Sequence, residues 1–507
     1  MINKIINSED LVSKLSLIKK KNKKIVLCHG VFDLLHIGHI RHLNEAKKLG
    51  DILIVSVTSD SYVNKGPNRP MFKDYLRLEA IASLKFVDFV VLSKSVSSVD
   101  IIKKIKPKFY CKGSEYQNKE NDITNKIIDE ERLVKRFGGK LVFTNEITFS
   151  SSNIINKVSD TLSENQKQII KKIKVNNNFQ KTITNIKSFE KLKVLVIGET
   201  IIDQYSFCDP LNKSGKDPML VLKHNKTEEY LGGAVAIVKN IENFCNKISL
   251  LTMLGEKAEY KNKIKKNLSK KTKLEFIAKK NSKTITKKRY LDKISNNKLL
   301  GVYEINDDNL TKFDEIKLQK KLKKIIPKFD LVVVSDYGHG FLSKNSAKLI
   351  SKLSKYLALN AQINSSNVGY HTLKNYKNIN CLIINEKEIR HEVRNRSSKV
   401  EILMKDLAKS QNIMNLVVTK GIKGSILFNK KQNKFYYCDS FSKSAIDKIG
   451  AGDTMLSLIS LCLKNKINID LSLLLSSLAA AQSVRTMGNK KSIDKMTLMK
   501  SLEHILK

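Results

Sequence analysis

The sequence predicts an α/β fold: two doubly wound parallel-sheet domains, the second with a small β-sheet beside its main one. Three observations carry this. The 507 residues exceed what one ordinary core holds. Short apolar runs alternate with helical patterns twice along the chain, the signature of βαβ units. Two segments of the second half alternate polar and apolar residues without helix signals.

In the first half, Lys24–Cys28 and Ile52–Val57 read as buried strands with a helix over Arg41–Leu49 between them. Phe86–Leu92, Phe109–Cys111 and Lys140–Thr144 give further strands. From about Thr161 to Lys191 the chain is polar and rich in Lys and Asn. A helix is expected over Glu164–Lys174, then a loop, and the whole reads as a linker. The second series starts at Val194–Ile197 and continues with Leu331–Val334, Cys381–Ile384 and Leu416–Thr419. The alternating segments are Ser206 to Tyr230 and Thr284 to Ile305. The domains expected are therefore 1–158 and 191–507, joined by 159–190.

Composition narrows the function. No run of about 18 apolar residues exists and the N-terminus lacks an apolar signal stretch, so a cytoplasmic protein with no membrane partner is expected. The seven cysteines form no C-x-x-C pair and read as buried free thiols. The net charge of +44 fits nucleic-acid binding or a drift of the whole composition toward Lys and Asn. The lysines are dispersed and not interleaved with aromatic platforms, which favours the drift, so no nucleic acid is expected. Polyanionic nucleotides and sugar phosphates still gain from such a field.

The first candidate site is His29-Gly30-Val31-Phe32-Asp33-Leu34-Leu35-His36-Ile37-Gly38-His39. It lies between a strand and a helix, where an open parallel sheet binds ligands and a helix N-terminus favours phosphate. Two imidazoles flanking Gly38 can face one phosphate and stabilise the charge that builds there during nucleotidyl transfer. On the residues alone, a pair of surface histidines at a helix start fits too. The segment resembles the cytidylyltransferase-like nucleotidyltransferases, which carry G-x-F-D followed by H-x-G-H. Further matches follow in order: Lys47 before Gly50-Asp51, Lys65-Gly66, Arg69-Pro70, Arg77, Lys112-Gly113 and Phe149 to Ile155. The resemblance covers about residues 22–158 and implies a Rossmann-like domain. It implies catalytic roles for His36 and His39, with Gly30, Val31, Phe32, Lys47, Arg77, Ser150, Ser151 and Ser152 on the nucleotide. Asp33 is expected to order the turn.

The second candidate site is Gly450-Ala451-Gly452-Asp453, before an apolar helical stretch. Small residues at a helix N-terminus leave N–H groups for an anion hole, and Asp453 at its mouth could take a proton during phosphoryl transfer. Neither a Walker A loop nor a G-x-G-x-x-G occurs. Alone, the four residues also fit a helix-capping turn. The stretch 191–507 resembles the ribokinase-like (PfkB) sugar kinases through Gly198 to Asp203, Leu231-Gly232-Gly233-Ala234, the lid segment Thr284 to Arg289, and Ser335 to Gly340. Asn385-Glu386-Lys387-Glu388 and Thr419-Lys420-Gly421-Ile422-Lys423-Gly424 follow. The resemblance implies Asp453 as general base, Gly450, Ala451 and Gly452 as anion hole, and Asp203, Gly232 and Gly233 on the sugar. It implies Asn385, Glu388, Thr419, Gly421 and Gly424 on the nucleotide, Glu388 through a magnesium–phosphate network.

The pair of domains resembles the bifunctional heptose-phosphate kinase/adenylyltransferases of lipopolysaccharide biosynthesis, with the domain order reversed. That resemblance implies ATP, and CTP as the alternative for nucleotidyl transfer, with a sugar phosphate as partner substrate. Mg²⁺ is expected to arrive with the nucleotide, with no dedicated metal site; a homodimer is compatible with the class. Three departures stand out: Ala236 where asparagine is usual, Gln362 to Asn367 where an acidic strand end is usual, and a longer, more helical Gln117 to Arg136. The first two leave a second reading open, in which the nucleotidyltransferase is active and the kinase-like domain is an inactive regulatory module.

Overall fold

The computed structural model describes the chain apart from residues 1–3, 8–9, 12, 16–21, 64–68, 96, 118–125, 145–161, 177–178, 215–216, 218, 364–365, 368, 443–444 and 507. It divides into two compact units, residues 1–163 with 499–507 and residues 164–498.

The first unit is built on six strands: β1 (Ile5–Ile6), β2 (Ile25–Gly30), β3 (Ile52–Thr58), β4 (Phe89–Ser93), β5 (Phe109–Gly113) and β6 (Lys140–Thr144). They form one parallel sheet in the order β1-β4-β3-β2-β5-β6. β2 and β3 are almost wholly apolar because both faces of the sheet are covered. One core cluster holds Val26, Leu43, Val55 and Ile81; the other holds Leu27, Ile54, Ile102 and Tyr110. Helix α1 (Ile37–Lys48) follows β2, α2 (Asp74–Ala82) precedes β4, α3 (Val99–Ile105) follows it, and α4 (Lys126–Arg136) precedes β6. The chain leaves β2 toward β3 and β4 on one side and returns to β5 and β6 on the other. The sheet therefore reverses direction beside the C-terminal end of β2, the place where open α/β sheets bind ligands. α1 begins a turn earlier than the periodicity predicts because His36 caps it.

The second unit opens with α5 (Glu164–Asn176) and α6 (Phe179–Lys187). The loop expected after residue 174 is thus largely helical: Thr182 and Ile186 give α6 a buried side that its Lys and Asn content conceals. Ile169, Ile170 and Ile173 of α5 are buried, and Gln166 Nε2 donates to the Ser440 carbonyl at 2.8 Å.

The strand β7 (Lys193–Lys213) is 21 residues long and serves two sheets. Its first part lies in the main sheet between β9 (Lys247–Gly255) and β13 (Leu331–Asp336). That sheet continues through β10 (Thr272–Lys279) at one edge. Beyond β13 it runs through β14 (Leu357–Ala361), β15 (Cys381–Asn385), β16 (Asn415–Thr419), β17 (Ser425–Asn429) and β18 (Lys434–Cys438). The remainder of β7 pairs antiparallel with β8 (Leu220–Gly233) and parallel with β11 (Thr286–Asp292), which pairs with β12 (Lys298–Glu304). These strands are the small sheet that the alternating segments predict. It carries its own apolar cluster, Tyr205, Phe207 and Leu291.

The helices that matter for the site are α7 (Ala234–Ile241), α8 (Lys261–Asn267), α9 (Lys312–Ile325), α10 (Lys344–Leu353), α11 (Glu386–Val393), α12 (Val400–Ser410), α13 (Ala451–Lys464) and α14 (Ile469–Ser483). α13 and α14 are buried nearly all round, as central helices must be. The sheet order reverses between β7 and β13, and α13 starts beside their C-terminal ends. Among the described residues no helix is long and apolar enough to cross a membrane.

Candidate active sites

In the first unit the turn after β2 is held from below. The Asp33 carboxylate is 1% exposed, pairs with Arg69 at 2.8 Å and accepts the Met71 N–H at 2.6 Å. It orders the turn and is not presented to a ligand. Phe32 takes a left-handed φ of 50° and packs its ring edge-on to His39, centroids 5.3 Å apart. His36 caps α1: its Nδ1 accepts the Gly38 N–H at 3.1 Å, so the neutral ring carries its proton on Nε2. The His36 and His39 rings stack with centroids 3.9 Å apart. The two imidazoles thus stand together at the N-terminus of α1, where the helix dipole favours an anion.

Two residues expected on the nucleotide lie elsewhere. Lys47 is in the last turn of α1, eight residues or about 12 Å of helix beyond His39. Its ammonium pairs with Asp88 at 2.6 Å, beside the N-terminal ends of the strands. Arg77 is 2% exposed and turned inward. It donates to the carbonyls of Val31 at 2.6 Å, Thr58 at 2.9 Å and Phe72 at 2.9 Å, and to Asp60 at 2.7 Å. Its guanidinium is spent on holding the walls of the turn. Gly30, Val31 and Phe32 sit at the turn itself, while Ser150, Ser151, Ser152 and Lys65 lie outside the described residues.

Sequence reasoning included His29 in the motif without giving it a role, and missed His42. His29 Nδ1 stands 3.2 Å from Ser56 Oγ on β3. His42 Nδ1 stands 2.8 Å from Thr144 Oγ1 at the end of β6. Burial, helped by the Lys112 charge, lowers the His42 pKa to about 4 and keeps it neutral. The three-residue spacing of His36, His39 and His42 was the available signal, since it puts all three on one helix face.

In the second unit a cavity of about 680 Å³ opens at the reversal point. Gly450, Ala451, Gly452 and Asp453 line one wall, Asp203 and Gly233 another. Asn385, Glu388, Thr419, Gly421 and Gly424 line it as well. Gly450 is left-handed at φ 82°, and a Cβ there would overlap Asn489 Oδ1. Gly232 stands behind the wall, where a Cβ would overlap Asp203 Oδ2. The Asp203 carboxylate pairs with Arg289 of β11 at 2.6 Å. Asn385 and Glu388 form a reciprocal capping box that starts α11.

Asp453 lies in the first turn of α13, and the Tyr337 hydroxyl donates to its two oxygens at 3.0 and 3.1 Å. Burial lifts its pKa to about 7; the Tyr337 hydrogen bond and the Lys287 charge oppose this, and Asp203 adds to it. Burial likewise lifts Glu388 to about 7. A carboxylate poised near neutrality beside helix N–H groups is suited to accept a proton while an anion is held. Glu388 faces the cavity with oxygen lone pairs to spare beyond its backbone bonds from Asn385 and Ile363. One carboxylate of this kind fits a hydrated Mg²⁺ carried by a nucleotide. Among the described residues no cluster of three or more His, Cys, Asp or Glu stands ready to cage a metal.

A family model of pfkB carbohydrate kinases matches residues 191–496, more than half of the chain. The chain belongs to this family. The family fold recurs in phosphofructokinase-2 from Escherichia coli, crystallised in complex with potassium. That structure covers 62% of this chain and 100% of its own at 12% identity, with a TM-score of 0.51. Outside the pfkB region, a cytidylyltransferase-like family model matches residues 27–157. The bifunctional protein HldE of Campylobacter jejuni is 38% identical over 159 residues, 31% of this chain and 32% of that relative. HldE of Nitratiruptor is 42% identical over 123 residues, 24% of this chain and 26% of the relative. The chain thus spans about a third or less of the length of these curated relatives. The cytidylyltransferase-like domain precedes the pfkB domain, the reverse of the order in the heptose-phosphate kinase/adenylyltransferases it resembles.

The departures have structural places. Ala236 is buried in α7, whereas Asn360 and Gln362 line the cavity where an acidic strand end is usual. Tyr337, Lys287 and Asn489 also line it. The motifs of Tyr337 and Lys287 were visible in sequence, but nothing in spacing said which side chains would turn inward, and Asn489 stands in no motif.

Proposed function

We propose that the chain is a bifunctional enzyme of activated-sugar biosynthesis, of heptose type and serving a lipopolysaccharide or surface glycan. Residues 191–507 phosphorylate a sugar or sugar phosphate with ATP. Residues 1–158 transfer a nucleotidyl group from ATP or CTP to a sugar phosphate and release pyrophosphate, with 159–190 as the connection. The reactions belong to the cytoplasm, where the seven thiols stay reduced, and act on small molecules.

The observation that carries the kinase reading is the convergence of Asp453, the glycine turn before α13 and Asp203 on one cavity. A sugar hydroxyl held by Asp203 gives its proton to Asp453 as its oxygen bonds to the γ-phosphorus. The bond from that phosphorus to the β–γ bridging oxygen breaks and ADP leaves. The N–H groups of Gly450, Ala451 and Gly452 face the phosphoryl oxygens, and the loop of Thr419, Gly421 and Gly424 holds the nucleotide. Mg²⁺, carried in on the nucleotide, supplies charge neutralisation. In the other unit a sugar-phosphate oxygen attacks the α-phosphorus, and His36 and His39 stabilise the charge that develops as pyrophosphate departs.

The test is a panel of sugar phosphates offered with ATP and with CTP, products read by mass spectrometry. A nucleoside-diphosphate sugar and a newly phosphorylated sugar are expected. The competing reading, an inactive kinase-like module, draws on Gln362 in the cavity wall. It is ruled out when the chain phosphorylates a sugar and its Asp453→Asn variant does not.

A further inference from the structure

We propose that Tyr337 is a positioning residue for the kinase base: its hydroxyl holds the Asp453 carboxylate in the orientation that accepts the sugar proton. The inference rests on the kinase reading above.

Tyr337 follows β13 and is 3% exposed. Its backbone is fixed at both ends. The N–H donates to Glu199 Oε2 at 3.0 Å, and the carbonyl accepts Asn367 Nδ2 at 2.8 Å. Glu199 also accepts the His339 N–H, at 3.2 Å, so one fully buried carboxyl group sets the path of the whole turn. With its backbone held and its ring buried, the side chain aims its hydroxyl at Asp453. There a single O–H proton faces the two Asp453 oxygens almost equally, at 3.0 and 3.1 Å. When a sugar hydroxyl arrives it needs one carboxylate oxygen as acceptor; Tyr337 retains the other and stops the group from rotating.

The electrostatic surroundings give the bond its second task. Burial, with Asp203 on β7 facing it, drives a proton onto Asp453, while Asp453 in turn raises Glu388 on α11. Lys287 on β11 and the Tyr337 hydroxyl oppose them. Lys287 lies over the Tyr337 ring, 6.0 Å from its centroid, and lines the same cavity. Removing the hydroxyl leaves one of the two opposing groups.

The test is Tyr337→Phe, which keeps the buried ring, in the full chain. The Asp453 carboxyl is titrated by NMR with ¹³C-labelled aspartate, its signal assigned by its absence in Asp453→Asn. The expected shift in Tyr337→Phe is upward by about one pH unit. The acid limb of the phosphorylation rate moves up by the same amount, so the rate at pH 7 drops about severalfold while the alkaline plateau changes little. Tyrosine replaced by 3-fluorotyrosine, a stronger donor, moves the limb down. Nucleotidyl transfer is unchanged. An unmoved Asp453 titration overturns the proposal whether or not the kinase is active, and so does a moved titration with an unmoved rate limb. A wild-type chain that phosphorylates no sugar sinks the kinase reading first, and the role of Tyr337 with it.

Discussion

Asp453 and the paired histidines stand in different units, and this separates the two chemistries at the level of single residues. Asp453 works only when ionised. With its pKa raised to about 7 by burial, phosphorylation is expected to fall as pH drops through 7, a limb that Asp453→Asn abolishes along with roughly three orders of magnitude of rate. Nucleotidyl transfer should persist in that variant. His39→Ala should do the reverse, cutting pyrophosphate release by about a hundredfold and sparing the kinase. Loss of both reactions from one substitution in a folded chain would refute two separate sites. These residues were legible because each stands in a short glycine-bearing motif at a strand–helix junction, where backbone geometry dictates what the side chain faces. Arg77 and Lys47 were not. A spacing pattern places a residue on a helix but does not say whether a long side chain reaches outward or ties down its own fold.

At the scale of elements, Arg77 of α2 joins the β2 turn through Val31, the end of β3 through Thr58, and Asp60 after it. Arg77→Met strands those acceptors in a buried place and should cost about 3 kcal/mol, read as a lower urea midpoint for the first unit. Lys47→Met should leave the KM for nucleotide unaltered, because its ion pair with Asp88 lies at the far end of the strands. Raised KM values in a stable Lys47→Met variant would restore the role its motif suggested. The strands themselves were readable, since apolar runs of five to seven residues have no stable place except a sheet covered on both faces. The small sheet was readable from polar and apolar residues that alternate without helix signals, although the burial of β8 and β11 in the structure follows no strict alternation. What sequence could not give was that the main and small sheets of the second unit share β7. Its 21 residues pass from one to the other just after Gly198, in one unbroken strand with no loop to mark the change. α6 was hidden differently, by polar residues on its outer face.

The whole molecule is two compact units, each with its own core and candidate site. Each is expected to respond to its own ligands: a nucleotide analogue with sugar that occupies the pfkB cavity should raise the melting temperature of that unit. The cysteines offer a way to see this. All seven are buried, Cys28 and Cys111 in the first unit and Cys208, Cys245, Cys381, Cys438 and Cys462 in the second. A thiol reaches an alkylating reagent only when its surroundings open, so each sulfur is a clock for the stability of its neighbourhood. Under mild denaturant, peptide mass spectrometry should show alkylation advancing as two separate groups with distinct midpoints. Ligands of the kinase cavity should slow the second group and leave the first running. Wild-type sequence already carries the probes, one set per unit, and needs no engineered label to report which half yields first.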